Sequence, residues 1–329
     1  MAAAELLDQQ VVDKAREGLE KVIDNVETVI IGKREPVSLV VLALIAKGHV
    51  LLEDLPGTGK TTLVSALAKS IDCRFKRIQF TPDIMPSDVS GFSIFNQKTR
   101  DFEFRPGGVM SNLVLADEIN RASAKTQSAL LEAMEERQVT VDSQTHVLEE
   151  PFMVLATQNP IEQYGTYPLP EAQLDRFLVK LSMGYLDMDE EVDMVLGVEQ
   201  AKEDIEPVAS KEDVLHMREL VKQVHVSRAA ARYAVQIVMA TRTMRECTFG
   251  SSPRGSIALI NLSKAHALVR GRTYVMPDDV KYLAPYVLAH RINLSHEAKV
   301  DGRTPASIIE SVLNSIAVPR LTEAEAREL

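Results

Sequence analysis

The chain has no tryptophan, only two cysteines and 5% aromatic residues, and its formal net charge at pH 7 is -10. Each scarcity excludes something. Cys73 and Cys247 lie far apart and cannot build a disulfide framework or a zinc pattern, which suits reduced thiols in a cytoplasmic protein. The acidic balance argues against non-specific nucleic-acid binding, because the phosphates would repel the chain. The N-terminus lacks the basic start and apolar run of a secretory signal. The longest apolar stretch, residues 37–46, is about half of what a bilayer-spanning helix needs. The expectation is a cytoplasmic protein with no membrane span. There is also no internal repeat and no low-complexity segment.

What is present is an ordinary globular composition, 45% hydrophobic and 26% charged over 329 residues. That length suggests two domains, since single cores stop growing near roughly 250–300 residues. Residues 7–29 have the apolar spacing of an amphipathic helix, and 33–46 that of a buried one closed by Gly48. Then short continuous apolar runs appear at 50–52, 78–80, 113–116, 152–156 and 177–179. Runs of this kind suit strands covered on both faces of a parallel sheet. Helical patterns at 61–70 and 124–136 alternate with them, which indicates an α/β layer architecture. Two segments interrupt that layout: 87–110, and 138–148, where valines flank a polar turn as in a β-hairpin.

No apolar strand run is evident after residue 183. Residues 188–200 suit a connecting helix, Pro207 marks a linker, and Ser210 with Asp213 resembles a capping box. Helical patterns follow at 229–243, 256–270 and 304–316; Pro277 opens another helix that Pro285 should kink or split. The division predicted is 1–185 as a large nucleotide-binding α/β domain, 186–210 as connecting helix and linker, and 211–329 as a small all-α domain.

The most informative segment is 50–62, VLLEDLPGTGKTT, which runs strand, glycine loop, helix. Gly59, Lys60 and Thr61 match the end of the phosphate-loop pattern, and Asp54 stands where its first glycine is expected. Gly57 and Gly59 let the backbone curl so that several N–H groups of the loop point at one anion, and the helix that starts there adds its positive dipole end. Lys60 supplies a full charge to the β- and γ-phosphates. Thr61 offers a hydroxyl to Mg²⁺, an ion that takes few protein ligands. ATP with Mg²⁺ is therefore the expected ligand of Pro56, Gly57, Thr58, Gly59, Lys60, Thr61 and Thr62.

Hydrolysis needs more than a cradle. The run at 113–116 ends in Asp117 and Glu118, which suit a metal-side carboxylate and a group that orients or deprotonates water. The run at 152–156 leads to Asn159, near the strand ends where such sheets present their ligands. Asn159 is placed to bond the γ-phosphate or the water, although a turn residue before Pro160 reads similarly. Arg176 and Arg254 could stabilise charge on a transferred phosphoryl group; taken alone, each equally fits an ordinary surface arginine.

In this order, over an α/β-then-α chain, these residues resemble an AAA+ ATPase. Residues 79–88 (QFTPDIMPSD), 116–122 (ADEINRA), 125–134 (KTQSALLEAM), 156–162 (ATQNPIE) and 165–177 (GTYPLPEAQLDRF) resemble the MoxR family in particular. The resemblance covers nearly the whole chain and is strongest over residues 48–180. It implies a P-loop core with a five-stranded parallel sheet, a helix-two insert at 87–110, a hairpin at 138–148 before the sensor strand, and a small all-α lid. It also implies a homo-oligomeric ring, usually a hexamer, with Arg176 reaching into a neighbour's site. Asn159 and Arg254 would sense the nucleotide, and Ile31 and Gly32 would line the adenine. Chaperone-like remodelling of protein partners is implied, often of proteins with a von Willebrand A domain. The acid at Asp54 is frequent in this family.

Two other readings compete. Related clades with the same inserts move on DNA, but the acidic charge and the few basic residues in the inserts argue against nucleic acid as partner. A scaffold that binds ATP without hydrolysing it is at odds with the intact Glu118.

Overall fold

The three inner strands of the main sheet announce themselves by continuous apolar runs that end in polar residues; the two edge strands carry charge. The computed structural model describes residues 7–54, 57–159, 166–186, 188–196 and 205–319. They fall into two units: Lys21–Phe177 with Leu181–Leu215, the sheet unit, and Met1–Glu20 with Leu178–Lys180 and His216–Leu329, the helical unit.

The sheet unit begins in α1 (Gln9–Glu27), which straddles the division, and α2 (Arg34–Ile45). Helix α2 is apolar on nearly all sides and is buried accordingly. Its end is not made by Gly48 itself. Lys47 takes the left-handed conformation at φ 60°, and the Gly48 N–H closes the helix on Ala43 O at 2.8 Å. The core elements are β1 (Val50–Glu53), α3 (Lys60–Ser70), β2 (Phe75–Gln79), α4 (Pro86–Ser90), β3 (Gly91–Asn96), β4 (Asp101–Pro106), β5 (Leu113–Asp117), α5 (Ala124–Glu136), β6 (Gln138–Val141), β7 (Gln144–Val147), β8 (Met153–Gln158), α6 (Glu171–Leu174), β9 (Val179–Leu181) and α7 (Met188–Leu196).

The main sheet has the order β2-β5-β8-β1-β9. The pairs β2–β5, β5–β8 and β1–β8 are parallel, with Ala116 opposite Ala156, Gln79 opposite Asp117 and Leu52 opposite Thr157. The core against it includes Leu51, Val114, Val154, Phe80, Phe152 and Phe177, all fully buried. Strand β1 sits between β8 and β9 while its chain successor β2 lies at the far edge. Such a reversal of strand order opens a crevice at the carboxyl ends of the strands.

The two interruptions are both antiparallel hairpins, preceded in the first case by the short helix α4. In β3–β4, Phe95 and Phe102 pair edge-to-face at 5.5 Å and stay exposed, 54% and 68%. The β6–β7 turn is two residues, Asp142 and Ser143, both with positive φ, as tight hairpin turns require.

The helical unit comprises α8 (Lys211–Gln223, whose first turn lies in the sheet unit), α9 (Arg228–Thr241), β10 (Cys247–Phe249), α10 (Pro253–Val269), α11 (Pro277–Leu288), β11 (Asn293–Leu294), α12 (His296–Val300) and α13 (Pro305–Ser315). Ser210 and Asp213 form their box, Asp213 N–H donating to Ser210 Oγ at 3.1 Å and Ser210 N–H to Asp213 Oδ2 at 2.8 Å. Two features depart from the sequence expectation. The unit is not wholly helical, because β10 and β11 pair antiparallel. Nor does Pro285 split α11: the helix runs through it to Leu288 and tightens into a 3-10 turn at Ala289–Arg291. Residues 7–20 group with this unit because α1 packs there, with Gly18 close against Met217 and Gln9 Nε2 donating to Gly271 O at 2.9 Å. Among the described residues no helix is long and apolar enough to cross a membrane.

Candidate functional site

The loop after β1 is shaped by its glycines. Gly57 and Gly59 have φ of 87° and 80°, a region that side chains with a Cβ resist. The curl delivers the chain to the N-terminus of α3, which begins at Lys60. Free N–H groups and the dipole's positive end meet there, a build suited to an anion. Lys60 Nζ donates to Asp54 O at 3.1 Å. Ile30 flanks the loop, its Cδ1 within 3.5 Å of where a Cβ on Gly59 would stand. This sets the turn containing Ile31 and Gly32 (φ 71°) beside the loop. Pro56 lies outside the described residues.

At the end of β5 the two carboxylates are held differently. Asp117 Oδ1 accepts from Thr157 Oγ at 2.7 Å, and its Oδ2 accepts from Arg77 Nη2 at 2.6 Å and Nε at 3.2 Å. Glu118 takes a left-handed backbone, φ 58°, which costs on the order of 1 kcal/mol for a residue with a Cβ. That turn aims its N–H at Thr157 Oγ (2.8 Å) and lets its Oε2 accept from Gln79 Nε2 (3.0 Å) and Arg121 Nη1 (3.1 Å). Thr157, fully buried on β8, therefore orients both acids at once.

Asp54, residues 57–62, Arg77, Gln79, Asp117, Glu118, Thr157 and Asn159 line a single cavity of about 410 Å³. Lys60, Thr61, Asp117, Glu118 and Asn159, all singled out from the sequence for phosphate, metal or water, thus meet at one place with the loop residues 57–59 and Thr62. The two arginines do not join them in the same way. Arg176 follows α6 and its guanidinium pairs with Glu135 of α5 at 2.9 Å; it is not among the cavity's lining residues. Arg254 is the second residue of α10 in the helical unit, its N–H donating to the Ser252 hydroxyl at 3.1 Å.

Arg77, Gln79 and Thr157 were not given roles from the sequence. Arg77 and Gln79 flank Ile78 on a charged edge strand, and only the register that sets Gln79 against Asp117 brings them to the acids.

A glycine loop opening a helix at the carboxyl edge of a parallel sheet, facing acids at the end of the next strand but one, is how P-loop nucleoside triphosphatases hold phosphates. The comparisons with known proteins narrow that class. The model of the ATPase family associated with various cellular activities (AAA) matches residues 49–179, and that of the AAA lid domain matches 239–312. The chain is 54% identical to a Bacillus subtilis protein, uncharacterized YeaC, over 92% of its own length and 95% of that protein's. It is 42% identical to a Mycobacterium tuberculosis protein named Chaperone MoxR1, over 92% of this chain and 83% of that one. The crystal structure of a candidate ATPase from Cytophaga hutchinsonii superposes with a TM-score of 0.88 at 41% identity, covering 94% of this chain and 98% of that one. The chain belongs to the MoxR family of AAA+ ATPases, and it is an ATP hydrolase with a P-loop α/β core and a helical lid.

Proposed function

We propose that this ATPase works as a homo-oligomeric ring of six copies and that it turns hydrolysis into remodelling of protein partners in the cytoplasm. The observation that carries the hydrolytic part is the convergence of Lys60, Thr61, Asp117, Glu118 and Asn159 on one cavity. Lys60 and the loop N–H groups of 57–62 hold the phosphates, with Ile31 and Gly32 beside the base. Glu118 orients the attacking water and takes its proton; Asn159 bonds the γ-phosphate or that water. Thr61 and Asp117 suit Mg²⁺. Both are oxygen donors on the same cavity, and a cation, the Arg77 guanidinium, already stands against Asp117 Oδ2. When bound, the ion neutralises charge on the phosphates.

The ring is supported by Arg176, which belongs to the family's motif yet stands outside its own chain's cavity, where a neighbouring copy could receive it. Arg254 is assigned as the nucleotide sensor of the lid. The relative named as a chaperone supports a protein substrate, and the family resemblance points to partners with a von Willebrand A domain.

Phosphate release by the wild type and by Glu118→Gln tests the site: turnover in the wild type that the variant lacks is expected, and equal rates would sink the assignment. Light scattering with and without ATP tests the ring; a monomer under both conditions would end that part. Mixing Arg176→Ala with Lys60→Ala should restore activity to a fraction of the sites if the arginine acts across an interface. The Glu118→Gln variant held in ATP should retain a protein partner on pull-down.

A further inference from the structure

The acid at the first position of the phosphate loop has a structural task of its own. Asp54 is only 5% exposed. A carboxylate so far removed from water needs donors, and it has three. Ser182 Oγ donates to Oδ1 at 2.5 Å, the Met183 N–H to Oδ2 at 2.7 Å and the Gly184 N–H to Oδ1 at 3.2 Å. All three belong to the segment that leaves the sheet after β9. The main chain of Asp54 is equally engaged. Its N–H extends the β1–β8 pairing to Gln158 O at 3.3 Å, and its carbonyl accepts from Lys60 Nζ. One residue thus holds the ammonium that meets the phosphates and, through its side chain, the exit from the sheet. The glycine of the usual pattern has no atoms for the second task.

A few residues later the same segment reaches the turn at Gly32 and Lys33, next to the residues assigned above to the base. Tyr185 O accepts from Lys33 Nζ at 2.6 Å. The carboxylate of Glu190, on α7, lies so close over Gly32 that a side chain at that position would overlap it. The chain after β9 is therefore fastened to the phosphate loop at one point and to the residues beside the base at the next.

We propose that Asp54 is a positioning residue that couples nucleotide at the phosphate loop to the segment Ser182–Gly184, and so to the chain leading out of the sheet. This rests on the nucleotide site assigned above. When Lys60 turns to the phosphates it withdraws from the Asp54 carbonyl. The carboxylate passes the displacement to the three donors that it binds. Without the carboxylate the loop still cradles phosphates, but the exit segment no longer registers them.

The test uses the full chain, with hydrogen–deuterium exchange at 182–184, affinity for a fluorescent ATP analogue and steady-state turnover, in wild type, Asp54→Gly and Ser182→Ala. In the wild type a non-hydrolysable ATP analogue should slow exchange at these amides about fivefold or more, since their opening is then opposed by binding. In Asp54→Gly, affinity should stay within about threefold, the nucleotide-dependent slowing should vanish, and kcat should fall roughly tenfold with KM little changed. Ser182→Ala, which keeps the carboxylate and removes one donor, should lose part of the slowing. Should Asp54→Gly fail to fold, Ser182→Ala decides: partial loss supports the coupling and full retention overturns it. Slowing that persists in Asp54→Gly, or an unchanged kcat, also overturns it. A wild type that does not bind the analogue sinks the site assignment itself, whereas binding with unchanged exchange at 182–184 sinks the coupling alone.

Discussion

Both units shield acids from water, but they use the shielding in opposite ways. In the sheet unit Asp117 and Glu118 are held by Thr157, Arg77, Gln79 and Arg121 while still facing a cavity. In the helical unit Asp279 is sealed at 1% exposure. Its Oδ1 lies 2.6 Å from His266 Nδ1 and 2.5 Å from Arg272 Nη2, and its Oδ2 accepts from Arg272 Nη1 and the Met276 N–H. Every non-glycine residue with positive φ among the described residues, Glu118 included, lies in the sheet unit. The same requirement, that a desolvated carboxylate find donors, yields a ligand site where capacity is left over and a clamp where it is used up.

That contrast predicts a double dissociation. The largest effect is expected from Glu118→Gln. Its turnover should fall by about 10²–10⁴-fold, the range of general-base removal, while the melting midpoint barely moves. Asp279→Ala should do the reverse. It should cost about 3–5 kcal/mol of stability, because it leaves the Arg272 guanidinium without its buried partner, while refolded enzyme keeps its nucleotide affinity. Denaturant unfolding of both variants checks the pair, and a destabilised Glu118→Gln would break the contrast.

The clamp also sets an acid limit. Burial pushes the Asp279 carboxyl up, but hydrogen bonds from His266, Arg272 and the Met276 N–H together with the Arg272 charge outweigh it and hold the carboxyl below its ordinary value. A lowered folded pKa stabilises the protein above the unfolded value of about 3.9, and that stability is lost as pH falls through the folded value. Asp279→Asn should flatten the stability profile in that acid window.

Thr157→Val sharpens the comparison, because this residue serves both acids from a buried strand. It should lower stability by about 1–3 kcal/mol through lost buried hydrogen bonds and lower turnover as well, which calorimetry and phosphate release would show together. The smallest effect is expected from Tyr233→Phe in the helical unit. Among the described residues the buried Tyr233 hydroxyl has no hydrogen-bond partner, so its removal should leave stability unchanged or raise it by about 1 kcal/mol. A clear loss in thermal unfolding would mean that the hydroxyl is satisfied after all.

The parts that were legible in sequence share a physical reason. Strands β1, β5 and β8 are covered on both faces and so are apolar up to their polar carboxyl ends. Strand β2 lies at a sheet edge, with Lys76, Arg77 and Gln79 exposed, so only its apolar end stood out. Strands β10 and β11, of three and two residues, are too short to carry a period. The loop, the acids and Asn159 follow strand ends and could be located by chain order alone. Arg77 and Gln79 could not, because their contacts to Asp117 and Glu118 span about 40 positions and depend on which strands are neighbours. Asp54 was visible as a departure from the glycine pattern, but the donors that explain it lie on a segment far along the chain.

The β3–β4 hairpin has a practical consequence. Phe95 and Phe102 stand exposed on a two-stranded ribbon that pairs with no other strand among the described residues, and such ribbons open locally at little cost. Chymotrypsin, which cuts after large aromatic residues, should nick the chain there first. The rate of that nick, followed on a gel, gives a clock for how often the ribbon lies uncovered as copies or partners are added.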